Sequence, residues 1–308
     1  MRIVILGAAG FIGTNLTMRL AQNRADEIIA VDERIEYFDE CLSSVNVKLI
    51  EQKFTYDADF AKVLKNADVV YHLISTNNPS SSNMNIGSDI ADNVLITIRI
   101  LDTCIAEGVS KVVFISSGGT VYGDLAKNPI KEDEATNPIN TYGIQKLTIE
   151  KILYLYHRMH GIDYRIIRLA NPYGPHQRPN GRLGVVTTFV YKALNNDVLT
   201  VYGDGKVIRD YIFIDDAISG IISIAGCEDD NKVFNLGSGV GTSVNEIIGI
   251  IGEIMGKPLN VEYIQKRSVD VPVNILDVTR YKETFSVNSF LDLRDGIKKT
   301  IDYFKGKR

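Results

Sequence analysis

A glycine-spaced turn, Gly7-Ala8-Ala9-Gly10-Phe11-Ile12-Gly13, separates a β-branched run at 3–6 from a helical pattern at about 12–23. Glycines at that spacing let the backbone turn tightly and come close to a pyrophosphate. The helix that opens there offers unpaired N–H groups and a partial positive charge. The spacing is GxxGxxG rather than the commoner GxGxxG. An acid is expected about 20 residues further on, and Asp32 stands at the end of the second apolar run. A carboxylate in that place accepts hydrogen bonds from ribose hydroxyls and repels a 2′-phosphate, so the pattern predicts a dinucleotide site that takes NAD rather than NADP.

The rest of the chain repeats the strand-helix alternation. Strands are predicted at 3–6, 28–31, 45–50, 69–73 and 112–115, with helices at about 12–23, 58–66 and 86–107 between them. Each strand is apolar along most of its length, as parallel strands covered on both faces are. This is an α/β pattern, a doubly wound parallel sheet of Rossmann type. A helix from about 140 to His160, stopped by Gly161, leads into a sixth strand at 164–168. The segment 171–184 holds three prolines and three glycines and reads as a loop. A strand near 198–202, a run at 210–224, a strand at 233–236 and a helix opening on the capping box Ser243/Glu246 follow. The predicted division is a dinucleotide-binding domain over 1–170, with 206–226 packing back on it, and a second, smaller α/β substrate lobe over 171–308.

Composition closes off several classes. With 45% hydrophobic and 23% charged residues and a net charge of −4, the chain is neither disordered nor built for nucleic acid. No apolar run reaches the roughly 18 residues of a membrane span, and the N-terminus has no signal-peptide core. Cys41, Cys104 and Cys227 are too scattered for a disulfide framework or a zinc knuckle, so a reducing cytoplasm and no metal are expected.

Tyr142 and Lys146 lie four apart at a helix start, on one face. Tyr202/Lys206 and Tyr303/Lys307 repeat the spacing. Only Tyr142 follows the fifth strand, where a doubly wound sheet presents its ligand. An ammonium beside a phenol favours the phenolate. Bringing a tyrosine from about 10 to near 7 takes roughly 4 kcal/mol, which the lysine and a positive nicotinamide ring would supply together. Such a tyrosine is a general base for a sugar hydroxyl.

GAAGFIG, Asp32, HLIS at 72–75, SSGGTVYG at 116–123, TYGIQK at 141–146, RLANPYGP at 168–175 and RDYIFIDD at 209–216 together resemble the extended short-chain dehydrogenase/reductase family, in its branch of UDP-glucose 4-epimerase-like nucleotide-sugar epimerases. The resemblance runs to about residue 304. It implies tightly held NAD that is regenerated in each turnover and a UDP-sugar substrate. By the same resemblance Tyr142 is the base, and Lys146 holds the nicotinamide ribose. Gly7, Gly10, Phe11, Ile12, Gly13, Asp32, Leu73, Asn93, Ser116 and Leu169 line the cofactor. Asn171, Arg209 and Arg267 hold the substrate, the arginines on its diphosphate. Relatives often carry Ser or Thr four residues before the tyrosine of VYG, where this chain has Gly118. Ser117 is the first candidate for that hydroxyl and Thr120 the second. Dehydratases and some decarboxylating relatives bring acidic groups through this stretch, and none is present. A reductase or dehydratase of the same fold, or a non-catalytic NAD-binding protein, are the alternatives.

The patterns at 86–107 and 142–160 are apolar on more than one face, which predicts a homodimer through these two helices. His157 and His160 read as a solvated face rather than a metal pair. Asp215 and Asp216 read as a helix start, and Glu132-Asp133-Glu134 as a solvated loop.

Overall fold

The computed structural model describes residues 1–38, 44–76, 85–179, 184–265 and 271–307. Chain order is β1 (Arg2–Leu6), α1 (Phe11–Leu20), β2 (Glu27–Asp32), β3 (Val47–Glu51), α2 (Ala61–Leu64), β4 (Val69–His72), α3 (Ile86–Ile90), α4 (Ile96–Ala106), β5 (Lys111–Ser117), α5 (Thr141–His160) and β6 (Asp163–Leu169). Then come β7 (Asn171–Tyr173), α6 (Val185–Asn195), β8 (Leu199–Tyr202), β9 (Ile208–Phe213), α7 (Ile214–Gly226), β10 (Val233–Leu236), β11 (Gly241–Ser243), α8 (Val244–Met255), β12 (Val261–Ile264), β13 (Val273–Asn274), α9 (Thr279–Phe285) and α10 (Leu293–Gly306).

Seven parallel strands form the main sheet in the order β10-β6-β5-β4-β1-β2-β3. The chain winds outward from β1 through β2 to β3, then returns and winds the other way from β4. Between β1 and β4 the winding reverses, and a crevice opens beyond their C-terminal ends. Alternate residues explain why the strands read as unbroken apolar runs. Ile3, Ile5, Ile28 and Val113 face α1 and α7 through Leu16, Ile218 and Ile221. Val4, Leu6, Ile29 and Phe114 face α4 and α5 through Ile100, Leu101, Ile149 and Leu153.

A smaller sheet holds β9 between β11 and β13, with β7 beside its second half, and β8 pairs with β12. Gly161 caps α5 in the left-handed region at φ 74 and the Ser243/Glu246 capping box is formed. Asp215 and Asp216 lie in the first turn of α7.

Four expectations are revised. The segment 171–184 begins with a strand, β7, which pairs with β9 at the end of the small sheet, where a proline is tolerated. The run 210–224 divides, because β9 ends at Phe213 and α7 starts at once. The helix at 86–107 is interrupted by a π-helical turn, Ala91–Leu95, around Asn93. Glu132 is turned inward. It accepts from Asn235 N at 2.9 Å, and burial raises its pKa.

Among the described residues no helix is long and apolar enough to cross a membrane, and no group of three His, Cys, Asp or Glu could hold a metal.

Candidate active site

The glycine turn is built for three different reasons. Gly7 has φ +88, and its N–H and that of Ala8 both donate to Val31 O, at 2.9 and 3.0 Å. A Cβ on Gly13 would strike Gly7 O and lie 2.6 Å from Ala8 Cα and 2.7 Å from Ala8 O. Gly10 has an ordinary φ of −73. A Cβ there would meet only Gly7 O, at 3.3 Å. A side chain at 10 is therefore opposed by one tight backbone contact, far less than at Gly13.

Helix α1 starts behind Gly10 with no side-chain cap and no acid in its first turn. Its N–H dipole therefore remains free for an anion, with Phe11 and Ile12 at its mouth. Asp32 at the end of β2 accepts from Ala9 N at 2.8 Å and Arg34 N at 3.2 Å. Burial raises its pKa, and these donors oppose the rise. Cradle, helix start and acid fit an adenine dinucleotide. Leu73 forms the next wall; its N–H donates to Leu6 O at 2.9 Å, and its backbone lies against Gly7. Leu169 closes the end of β6, in register with Ser117 on β5.

Asn140 caps α5 by accepting from Gly143 N at 2.8 Å. Gly143 lets the helix seat on the 118–120 turn, because a Cβ there would lie 2.7 Å from Thr120 O. Tyr142 and Lys146 thus reach the C-terminal end of the sheet together. Lys146 Nζ donates to Ile115 O at 2.9 Å and stands 5.6 Å from the Tyr142 ring centroid and 4.7 Å from that of Phe114. Burial pulls the ammonium down to about 8, against the pull of Glu150. The phenol departs from expectation. Burial pushes Tyr142 up to about 12, and the opposing influence is a hydrogen bond with Ser75 rather than the lysine charge. The reason is geometric: no hydrogen bond joins Lys146 to the phenol among the described residues, and the ammonium points at Ile115 O.

The remaining expected residues divide. Ser117 is half-buried at the end of β5. Thr120 is buried, and among the described residues its Oγ1 has no partner. Asn171 and Arg209 come together on the β7–β9 ladder. Asn171 Nδ2 donates to Asp210 O at 2.8 Å, and Arg209 Nη1 to Ile208 O and Val271 O at 2.9 and 2.6 Å. Arg267 lies outside the described residues. Ser116 and Asn93 have structural work. Ser116 Oγ donates to Glu150 Oε1 at 2.5 Å, inside a buried pair in which Arg168 Nη2 meets Glu150 Oε2 at 2.7 Å. Asn93 clamps the chain after β4: its Oδ1 accepts from Thr76 N at 3.1 Å, and its Nδ2 donates to Thr76 Oγ1 at 2.8 Å. Sequence reasoning passed over Ser75 and Glu150. Ser75 ends the HLIS motif, and Glu150 lies four residues past Lys146 on the same helix face.

The model of the NAD dependent epimerase/dehydratase family matches residues 3–237. The UDP-glucose 4-epimerase of Mycolicibacterium smegmatis is 33% identical over 313 residues, covering 100% of this chain and 99% of that protein. Among solved structures, the UDP-glucose 4-epimerase of Thermotoga maritima with UDP-glucose is similar at a TM-score of 0.91 and 32% identity, over 100% of this chain and 99% of that one. The UDP-glucuronic acid 4-epimerase of Bacillus cereus, in complex with UDP-glucuronic acid and NAD, is similar at 0.92 and 26%, over the full length of both.

Proposed function

The chain belongs to the NAD-dependent epimerase/dehydratase family, and from that premise we propose that it interconverts the C4 epimers of a UDP-sugar. It is an enzyme, and NAD is its cofactor. Gly7, Gly10, Gly13 and the start of α1 would hold the pyrophosphate, Asp32 the adenosine ribose, and Lys146 the nicotinamide ribose. When bound, oxidised NAD supplies the hydride acceptor for C4 and a positive ring that favours the phenolate.

Tyr142 removes the proton of the 4-hydroxyl and later returns it. The phenol is pushed up to about 12 by its burial in the polypeptide, so it becomes a base only as positive charge gathers beside it; Lys146 is one source. Asn171 and Arg209 anchor the nucleotide half, with Arg267 as a third contact. Remote anchoring leaves the flat 4-keto ring free to turn between its two faces.

The observation that carries this reading is Tyr142 and Lys146 side by side at the C-terminal end of the sheet, beside a 118–120 turn that reads Gly-Gly-Thr and holds no carboxylate. A dehydratase would need an acid there. The test is a panel of UDP-sugars incubated with protein and no added cofactor, resolved by chromatography. Paired 4-epimers are expected, with turnover falling by orders of magnitude in Tyr142→Phe while NAD stays bound. A 4-keto product that accumulates, or full activity in the variant, refutes the reading.

We also propose a homodimer through α3, the π-helical turn, α4 and α5, where Ile90, Leu95, Ile144, Leu155 and Met159 are exposed.

A further inference from the structure

Helix α5 meets the end of β5 through two side chains one turn apart. Lys146 Nζ donates to Ile115 O at 2.9 Å. Glu150, four residues on, accepts from Ser116 Oγ at 2.5 Å. Neighbouring turns of the helix thus grip neighbouring residues of the strand, on one helix face. Ser116, Lys146 and Glu150 are all buried.

The end of β5 has need of that grip. Strand β4 pairs with β5 as far as Phe114, and from Ile115 to Ser117 the pairing runs to β6. Ser116 stands opposite Arg168 on β6, and both side chains reach the Glu150 carboxylate. Arg168 Nε donates to Oε1 at 3.1 Å and Nη2 to Oε2 at 2.7 Å. Its Nη1 is taken up by Tyr122 OH and Glu132 O, both at 2.9 Å. The guanidinium fixes the carboxylate from β6, and the Ser116 hydroxyl ties β5 to that fixed point. Ile115, the next residue back, presents the carbonyl that receives the ammonium.

We propose that Ser116 is a positioning residue for Lys146. Its bond to Glu150 holds the Ile115 carbonyl in register with α5, and that carbonyl holds the ammonium 5.6 Å from the centroid of the Tyr142 ring. The proposal rests on the reading of Tyr142 as the general base and of Lys146 as the residue that would hold the nicotinamide ribose. Removing the Ser116 hydroxyl leaves Glu150 paired with Arg168, so no buried charge loses its counter-ion. What is lost is the tie between helix and strand at the level of the ammonium.

The test compares Ser116→Ala, Lys146→Met and the double variant with wild type in two measurements. One is calorimetric titration of cofactor-stripped protein with NAD. The other is steady-state epimerisation, at saturating NAD, of the UDP-sugar that wild type turns over. Residues that act through one another depart from additivity by roughly two- to a hundredfold. Ser116→Ala alone is expected to weaken NAD binding and to lower kcat, each by about tenfold. KM for the sugar nucleotide should stay, because Asn171 and Arg209 stand on β7 and β9. In the Lys146→Met background Ser116→Ala should change neither quantity further, whereas a general loosening of the fold would add the same loss in both backgrounds. Ser116→Thr keeps the hydroxyl on a strand that suits a β-branched residue, and it should restore both. An equal loss in the two backgrounds overturns the proposal, as do wild-type NAD affinity and kcat in Ser116→Ala. Wild-type turnover in Tyr142→Phe would instead refute the general-base reading, and the NAD titrations would still decide whether Ser116 acts through Lys146.

Discussion

Gly10 and Gly13 sit three residues apart in one turn, yet alanine should do opposite things at the two positions. At Gly13 the new methyl would strike Gly7 O and lie 2.6 Å from Ala8 Cα. Overpacking costs about 1–3 kcal/mol where side chains can move aside. Here the neighbours are backbone atoms pinned by two bonds to Val31 O, so the upper end applies. Alanine regains about 1 kcal/mol of helix propensity inside α1, which leaves a net loss of about 2 kcal/mol. At Gly10 the methyl meets one atom at 3.3 Å, and alanine at a helix N-cap costs no more than about 1 kcal/mol relative to glycine. Its methyl points to where a pyrophosphate would lie. Urea unfolding of cofactor-stripped protein should therefore show Gly13→Ala clearly destabilised and Gly10→Ala near wild type. Calorimetric titration with NAD should show Gly10→Ala binding at least tenfold more weakly, a loss of about 1.4 kcal/mol. Equal unfolding midpoints for Gly13→Ala and wild type, or unchanged NAD affinity in Gly10→Ala, would refute this assignment of roles.

The Arg168–Glu150 pair has side-chain exposures of 5% and 3%, so Glu150→Ala leaves a buried guanidinium without its acid; a loss of about 3–5 kcal/mol in urea unfolding is expected, largely recovered when Arg168→Met is added. His72 should make the fold acid-sensitive. Burial lowers its pKa to about 3, while the unfolded chain titrates near 6.5, so the unfolded state holds the extra proton between those values. Stability is then full above pH 6.5 and falls with pH by about 1.4 kcal/mol per unit, roughly 2 kcal/mol by pH 5; His72→Gln should flatten that slope in parallel urea series. Tyr154 and Leu155 are 52% and 50% exposed on α5. Tyr154→Glu with Leu155→Arg is expected to bring the mass in solution scattering down from a dimer toward the 34.2 kDa of one chain.

The doubly wound sheet was legible because its inner strands are apolar on both faces, the edge strand β3 with Lys48 and Glu51 being the exception, and each crossover carries its own punctuation. Gly161 and Ser243 are residues whose backbone role can be read without a fold. Tyr142 was singled out from two decoys by its place after the fifth strand. Ser116 and Asn93 make hydrogen bonds that sequence position alone does not reveal, because strand ends and helix starts at such a crevice face two ways. Ser116 lies at the cleft by sequence position, yet its hydroxyl turns to Glu150, a partner 34 residues away. The π-helical turn at Asn93 depends on a bond to Thr76 across 17 residues, and periodicity carries no trace of such a contact. Glu132 looked solvated among acids, whereas the Asn235 N–H that it accepts belongs to a strand 103 positions on.

Those long-range bonds also explain how two lobes can serve one reaction. The Ala9 peptide is gripped from both sides. Its N–H donates to Asp32 at 2.8 Å, and its carbonyl accepts from Arg178 Nη2 at 2.6 Å. Arg178 lies on the chain that leaves β7, and its guanidinium stacks 3.8 Å over the Tyr37 ring. Asn15 on α1 reaches the same segment by donating to Pro175 O at 3.1 Å. Strand β7 carries Asn171, which binds the backbone of β9 next to Arg209. The pyrophosphate cradle is thus tied through a few residues to the side chains assigned to the sugar nucleotide. A cofactor held by the turn would, through these bonds, bear on the segment leading to the proposed substrate anchors, and any such coupling must be reciprocal. That reciprocity suits the proposed reaction, in which NAD would stay in place while the sugar nucleotide exchanges.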